Sequence, residues 1–239
     1  MLKPNQKSNS SKKNQVEKMF DSISFEYDLL NGIMTFNNHK RWKKNILNIA
    51  KKLKPKNALD IATGTADIAI NLGSISHCKV VGIDISEQML NVGREKILKM
   101  KLSESVILQS GDAENLNFKD NYFDLVTIGF GVRNFQDLQK GLKESHRVLN
   151  EKGTLIILET SVPENKIMKF LYAIFTRTYI PFMAWIFSKD KSAYNYLLDS
   201  AELFPSGIKF SNILRSVGFN KVLIKPKLFG SSTIYIATK

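Results

Sequence analysis

The sequence predicts an α/β fold: a mostly parallel sheet flanked by helices, closed by a C-terminal antiparallel hairpin, with N-terminal helices and a helical insert added to it. Three observations predict this. From about residue 57, short β-branched runs alternate with longer amphipathic segments, the pattern of parallel strands joined by crossover helices. The first runs end in small-residue turns that lead straight into helical segments. The last two apolar runs are separated only by a tight turn at Phe229-Gly230-Ser231, which makes the final pair antiparallel.

Taken in order, residues 1–13 hold Lys3, Lys7, Lys12 and Lys13 among Asn and Ser with no apolar run behind them, and predict a disordered basic tail, neither secretory signal nor anchor. Residues 14–239 read as a single domain whose first part, 14–56, is helical. ALDIA (58–62) is a strand, 66–74 a helix, KVVGID (79–84) a strand and 86–101 a helix. SVILQS (105–110), FDLVTIGF (123–130) and GTLIILET (153–160) are further strands, with a helix at 137–149. The insert 163–204 contains the most apolar stretch, 167–187, which reaches spanning length but carries Lys169, Arg177 and Pro181. The two charges are costly in lipid, so it reads as amphipathic helices broken near Pro181. A helix at 206–217 and strands at 221–227 and 232–239 complete the chain.

Composition narrows the function classes. Cys78 is the single cysteine, so no internal disulfide is possible, and His39, His77 and His146 are too far apart for zinc-ligand spacing; no metal site is expected. The net charge of +13 invites a nucleic-acid reading, but residues 57–160 carry −3 and the excess sits in 1–56 (+9) and 161–239 (+7). Lysine outnumbers arginine 29 to 6, and arginine is the preferred fork for phosphate and base recognition, so a solvated or membrane-facing basic surface fits at least as well.

Three turns carry candidate chemistry. In Leu59-Asp60-Ile61-Ala62-Thr63-Gly64-Thr65-Ala66-Asp67 a strand enters a small-residue turn that lets a ligand approach the backbone, although such a turn also serves packing alone. Only Gly64 is a glycine there, so the dinucleotide spacing that a dehydrogenase would show is missing. Asp84 ends the second strand, twenty residues after Gly64, where an acid can accept both hydroxyls of a ribose. Asp112, after the third strand, can accept from an adenine amino group while the Ala113 amide donates to the ring. Acids at three successive strand ends, Asp60, Asp84 and Asp112, suit a sulfonium cation better than a pyrophosphate.

The series LDIATGTAD, VVGIDIS, SGDAENLNF, FDLVTIGFGVRN and HRVLNEKGTLIILE resembles the class I S-adenosylmethionine-dependent methyltransferases. The flanks, FDSISFEYDLLN (20–31), HKRW (39–42), GVRN (131–134) and AYNYL (193–197) with Ser200 and Phe204-Pro205, resemble the ubiquinone/menaquinone-biosynthesis C-methyltransferases over roughly residues 16–238. The resemblance implies a Rossmann-like methyltransferase sheet whose N-terminal helices close over the cleft. It puts S-adenosylmethionine contacts on Thr65, Asp84, Asp112 and Ala113 and the methionine ammonium near Asp67. Gly129 stands where the family often has a serine, so a side-chain contact is lost there, and Ala66 stands where the family often has glycine.

What the resemblance further implies is methyl transfer to a ring carbon of a polyprenylated quinol, naphthoquinol or benzoquinol, without metal. Another small lipid or aromatic acceptor is the alternative. Arg133 and Asn134, just past the fourth strand, are the candidates to support a developing phenolate, unless Arg133 merely pairs with Asp137 and caps the next helix. Tyr27 and His39 are further proton-handling candidates. Phe170, Tyr172, Phe175, Tyr179, Phe182, Trp185 and Phe187 could receive the prenyl tail. The expected partners are the quinol, membrane lipid in peripheral contact and a second copy of the chain in a homodimer, with no nucleic acid. The expected location is the cytoplasm, at the inner face of the membrane.

Overall fold

A computed structural model of the chain describes residues 2–187 and 190–239. Three helices come first: α1 (Lys12–Ile23), α2 (Tyr27–Met34) and α3 (Asn38–Leu53). The alternating region follows as β1 (Asn57–Ile61), α4 (Asp67–Gly73), β2 (Lys79–Asp84), α5 (Glu87–Lys99), β3 (Val106–Ser110), β4 (Phe123–Gly129), α6 (Leu138–Val148) and β5 (Leu149–Thr160). Next are α7 (Lys166–Ile174), α8 (Ile180–Phe187), α9 (Lys191–Leu203) and α10 (Gly207–Ser216), then β6 (Lys221–Lys227) and β7 (Ser232–Thr238).

The described strands form one seven-stranded sheet in the order β3-β2-β1-β4-β5-β7-β6. β1 to β5 pair parallel, whereas β7 runs antiparallel to both β5 and β6, as the short turn before it requires. The order reverses between β1 and β4, so the crevice at their carboxyl ends is where this topology places a ligand. Leu59, Ile61, Leu125, Ile128, Ile156 and Leu158 are fully buried, because a parallel strand with helices on both faces must be apolar on both. β5 starts four residues earlier than the sequence suggested: Leu149 already pairs with Phe123, and the register shifts before Leu125.

Two expectations are corrected. Residues 12 and 13, assigned to a disordered tail over 1–13, are the first turn of α1, capped by Ser11. Lys12 is buried with its ammonium donating to the carbonyls of Arg133 and Phe135, 2.8 Å each, and the Asn5 amide donates to Gln15. Satisfying the two carbonyls past β4 ties this segment to the body of the protein.

Nor does Pro181 break the insert. α7 and α8 form one continuous run, 166–187, because a π-helical turn at Phe175–Tyr179 lies immediately before the proline and Ile180 N–H bonds to Phe175 O. Within such a wider turn the missing proline donor and the ring clash are accommodated without ending the helix. Among the described residues this is the one helical run long and apolar enough to cross a membrane. It rests on the protein along Thr176, Ile180 and Ala184 and leaves its other faces exposed.

Candidate active site

The floor of the cleft is built by the turns after β1, β2, β3 and β4. Gly64 sits at φ 54°, a left-handed conformation that favours glycine, and a Cβ there would project into open space. Its amide donates to Asp84 Oδ2 at 2.8 Å while the Ser86 amide donates to Oδ1 at 2.9 Å. Ser86, not Asp84, caps α5, through its hydroxyl to the Met89 amide. Burial pushes the Asp84 carboxyl from 3.8 up to about 6, the amides of Ser86, Gly64 and Ile85 pulling the other way. Among the described residues no cation pairs with it, and each carboxylate oxygen has a further lone pair beyond its amide contact.

Around Asp84 the cleft is lined by Gly64, Gly111, Asp112, Ala113, Gly129 and Asn134, among others. Asp112 already has partners: its Oδ1 accepts from the Glu114 amide and its Oδ2 forms a 2.9 Å ion pair with Lys13 of α1. Asn134 Oδ1 is buried without a hydrogen-bond partner and belongs to a residue lining this cleft. An orphaned acceptor, an acid without a counter-cation at a strand end and glycine-walled space fit a ligand with a diol and a cationic end.

Three expected cofactor residues do not line the cleft. Asp60 lies beneath its floor, accepting from Thr63 and Thr127 hydroxyls at 2.6 Å each, with burial raising its pKa to about 6. Thr65 turns its hydroxyl away, donating to Asp28 at 2.7 Å. Asp67 is paired with Lys43 at 2.7 Å and with Lys96, which also reaches Asp28. Burial alone would raise Asp67, but the two ammonium groups hold it down to about 2. Its charge fastens α2 and α3 onto the turn after β1.

A second, larger cavity, about 510 Å³, opens beside the first, and Tyr27 and Phe130 line both. Its walls are mostly apolar, including Met34, Trp42, Leu171, Phe175, Leu228 and Phe229. Of the aromatic stripe in the insert, Tyr172 and Phe175 line the cavity and Tyr179 stacks on Phe175 and Phe36 at 5.0 and 5.3 Å. Phe170, Phe182, Trp185 and Phe187 face outward instead, since the helix has two sides. Met34, Phe36 and Phe229 carry no periodic signal and only the fold brings them to this wall.

Arg133 lines this second cavity. Its Nη1 donates to Glu159 Oε1 and to Phe130 O, 2.7 Å each, and its Nε to Ser200 at 3.3 Å, while Nη2 has no partner among the described residues. Glu159 is fully buried and anchored further by the Thr160 amide at 2.7 Å. The alternative pairing with Asp137 does not occur, because Asp137 caps α6 through the Lys140 amide. Glu159 is the partner of Arg133 that sequence reading missed; an acid inside the apolar run LIILET was the available signal. His39 also lines this cavity, with its Nδ1 2.7 Å from the Thr35 hydroxyl, and burial together with Lys43 lowers its pKa to about 4.

The sequence profile of the ubiE/COQ5 methyltransferase family matches residues 7–239. A demethylmenaquinone methyltransferase of Bacteroides fragilis is 42% identical over 234 residues, covering 97% of this chain and 96% of that protein. Those of Chlorobaculum parvum (40% over 232 residues, 95% and 93%) and Staphylococcus haemolyticus (39% over 233 residues, 97% and 96%) are similar. Among solved structures, an S-adenosylmethionine-dependent methyltransferase of Thermotoga maritima superposes with a TM-score of 0.63 at 20% identity over 93% of this chain and 99% of that one. One of Aquifex aeolicus gives 0.55 at 19% over 77% and 81%. These structures share the fold.

Proposed function

The chain belongs to the ubiE/COQ5 methyltransferase family, and from that premise we propose that it transfers a methyl group from S-adenosylmethionine to a ring carbon of a polyprenylated quinol, with demethylmenaquinol as its substrate. The observation that carries this reading is the pair of cavities meeting at Tyr27 and Phe130: one is small and acid-lined at the strand ends, the other large, apolar and headed by Arg133. When bound, S-adenosylmethionine supplies an electrophilic methyl group on a sulfonium. Asp84 would accept from its ribose hydroxyls, the Ala113 amide would donate to the adenine, and Asn134 Oδ1 would offer an acceptor to the cationic end. A neutral ring carbon is a weak nucleophile, and deprotonation of a ring hydroxyl raises its electron density. The free Nη2 hydrogens of Arg133 stabilise that oxyanion, Glu159 and Ser200 fixing the plane of the fork. After transfer the ring proton passes to water, which restores the aromatic ring, with Tyr27 and His39 in the surrounding wall.

Mass analysis of the product from purified protein, isotopically labelled S-adenosylmethionine and either demethylmenaquinol or its benzoquinol counterpart tests this. The expected result is a labelled methyl on the naphthoquinol ring; no labelled quinol of either kind rejects the reading.

Cofactor binding should depend on pH through Asp84. Its pKa lies above the ordinary carboxylate value, so its own contribution to folding stability is present in acid and is lost as pH rises from about 4 through about 6. Binding a diol has the opposite sign, because the hydroxyls need the carboxylate. Affinity for S-adenosylmethionine should therefore fall up to about tenfold for each pH step below about 6. Calorimetry at pH 5, 6 and 7.5 measures this, with Asp84→Asn as the control expected to flatten the dependence.

The tail of such a substrate resides in lipid, and the outward face of 166–187 supports peripheral contact of a cytoplasmic enzyme with the inner membrane face. Phe170 and Trp185 are 66% and 63% exposed, and Lys166, Lys169 and Arg177 stand among them, suited to anionic headgroups. The double variant Phe170→Ser, Trp185→Ser should reduce sedimentation with anionic vesicles about tenfold or more, without altering S-adenosylmethionine affinity. Equal sedimentation of the two proteins would reject the contact.

A further inference from the structure

The hydrogen-bond chain behind His39 fixes which of its ring nitrogens carries the proton. Thr35 Oγ1 lies 2.6 Å from Asn31 O, a separation that two oxygens tolerate only with a hydrogen between them. A hydroxyl has one hydrogen, so the Thr35 hydrogen is spent on Asn31, and at 2.7 Å from His39 Nδ1 the same oxygen can only accept. Nδ1 is therefore the N–H and Nε2 carries the lone pair. Among the described residues Nε2 has no partner, and His39 lines the large cavity. The charged groups that act on the ring are Lys43 and Lys40 on one side and Asp67 and Asp28 on the other; with burial, their balance keeps the imidazole uncharged at neutral pH.

We propose that His39 is a specificity-determining residue that reads the redox state of the substrate ring: Nε2 accepts a hydrogen bond from a ring hydroxyl of the reduced form and turns a lone pair toward the carbonyl oxygen of the oxidised form. This rests on the quinol reading above. Arg133 is a donor and cannot discriminate, because hydroxyl, oxyanion and carbonyl oxygens all accept from it. A neutral acceptor does discriminate, since an oxidised ring offers it no hydrogen and leaves two buried acceptors facing each other. Oxidised quinone of the same ring system, which would otherwise compete for an apolar cavity of this size, is thereby turned away.

The test compares a short-chain demethylmenaquinol, as substrate under dithionite, with its oxidised quinone as a binding ligand. Affinities of the full-length protein for both are measured alongside turnover, S-adenosylmethionine binding and melting temperature. Wild type should hold the quinol about 10- to 100-fold more tightly than the quinone. In His39→Gln the amide can turn a donor toward a carbonyl, so quinone binding should tighten and the ratio fall to within about threefold of unity. In His39→Phe the ratio should collapse by weaker quinol binding instead. Thr35→Val, which leaves Nδ1–H without its acceptor, should lower the ratio in part. ¹⁵N NMR of the wild-type imidazole provides a readout independent of any variant and should show Nε2 unprotonated. A proton on Nε2, or variants that lose melting temperature but keep the wild-type ratio, would overturn the role of His39 while leaving the methyltransferase reading intact. Absence of methylation by wild type rejects that reading itself, and this one with it.

Discussion

Arg133→Lys is expected to lower turnover about 30- to 1000-fold with little change in S-adenosylmethionine affinity, the loss of about 2–4 kcal/mol of support for the developing oxyanion. The guanidinium satisfies Glu159, Phe130 O and Ser200 through Nη1 and Nε and keeps its Nη2 hydrogens without a partner among the described residues, on a residue that lines the cavity. A lysine ammonium has three donors from one nitrogen, and a lysine that pairs with the buried Glu159 has no planar fork left for the substrate oxygen. Because lysine preserves the counter-charge, melting temperature should fall only modestly. Arg133→Met separates the two roles: it leaves Glu159, fully buried, without a cation, at a cost of about 3–5 kcal/mol in stability. Turnover and melting temperature measured on the same preparations decide the matter. A normal rate per folded Arg133→Lys molecule would reject the catalytic role.

Asp84→Ala should weaken S-adenosylmethionine binding by about 1–3 kcal/mol for each ribose hydroxyl left unpaired, roughly 30-fold or more in sum, while the protein stays folded. The fold should tolerate it because the carboxylate is held by the amides of Gly64 and Ser86, not by a cation that would be stranded. Calorimetric titration checks the expectation, and an unchanged dissociation constant would remove Asp84 from the cofactor site. The contrast with Asp67 is instructive. Removing Asp67 should loosen α2 and α3, since Lys43 and Lys96 converge on it, and so its effect belongs in the melting temperature rather than in the intrinsic affinity.

The alternation of apolar runs with amphipathic segments was enough to place β1 to β7 within a few residues, because a strand buried on both faces has few compositions open to it. The cleft-lining residues Gly64, Ala113 and Gly129 were equally legible, since turns at strand ends are set locally and topology carries them to the crevice. Charged side chains were not legible in this way. Asp60, Thr65 and Asp67 lie within four residues of Gly64, yet each side chain points where its own partner lies, and Thr127, Asp28, Lys43 and Lys96 come from other elements. The same holds for Arg133: sequence offered Asp137, four residues away, and the fold supplied Glu159 from the neighbouring strand, 26 residues on. Sequence by itself thus determined the sheet, the crevice and the glycines that keep it open, all consequences of short-range patterning. Only the tertiary structure decided which ionic groups are committed to holding helices and which remain free for a ligand, because a charge in a low-dielectric interior is governed by whatever neighbour the packing brings within a few ångströms.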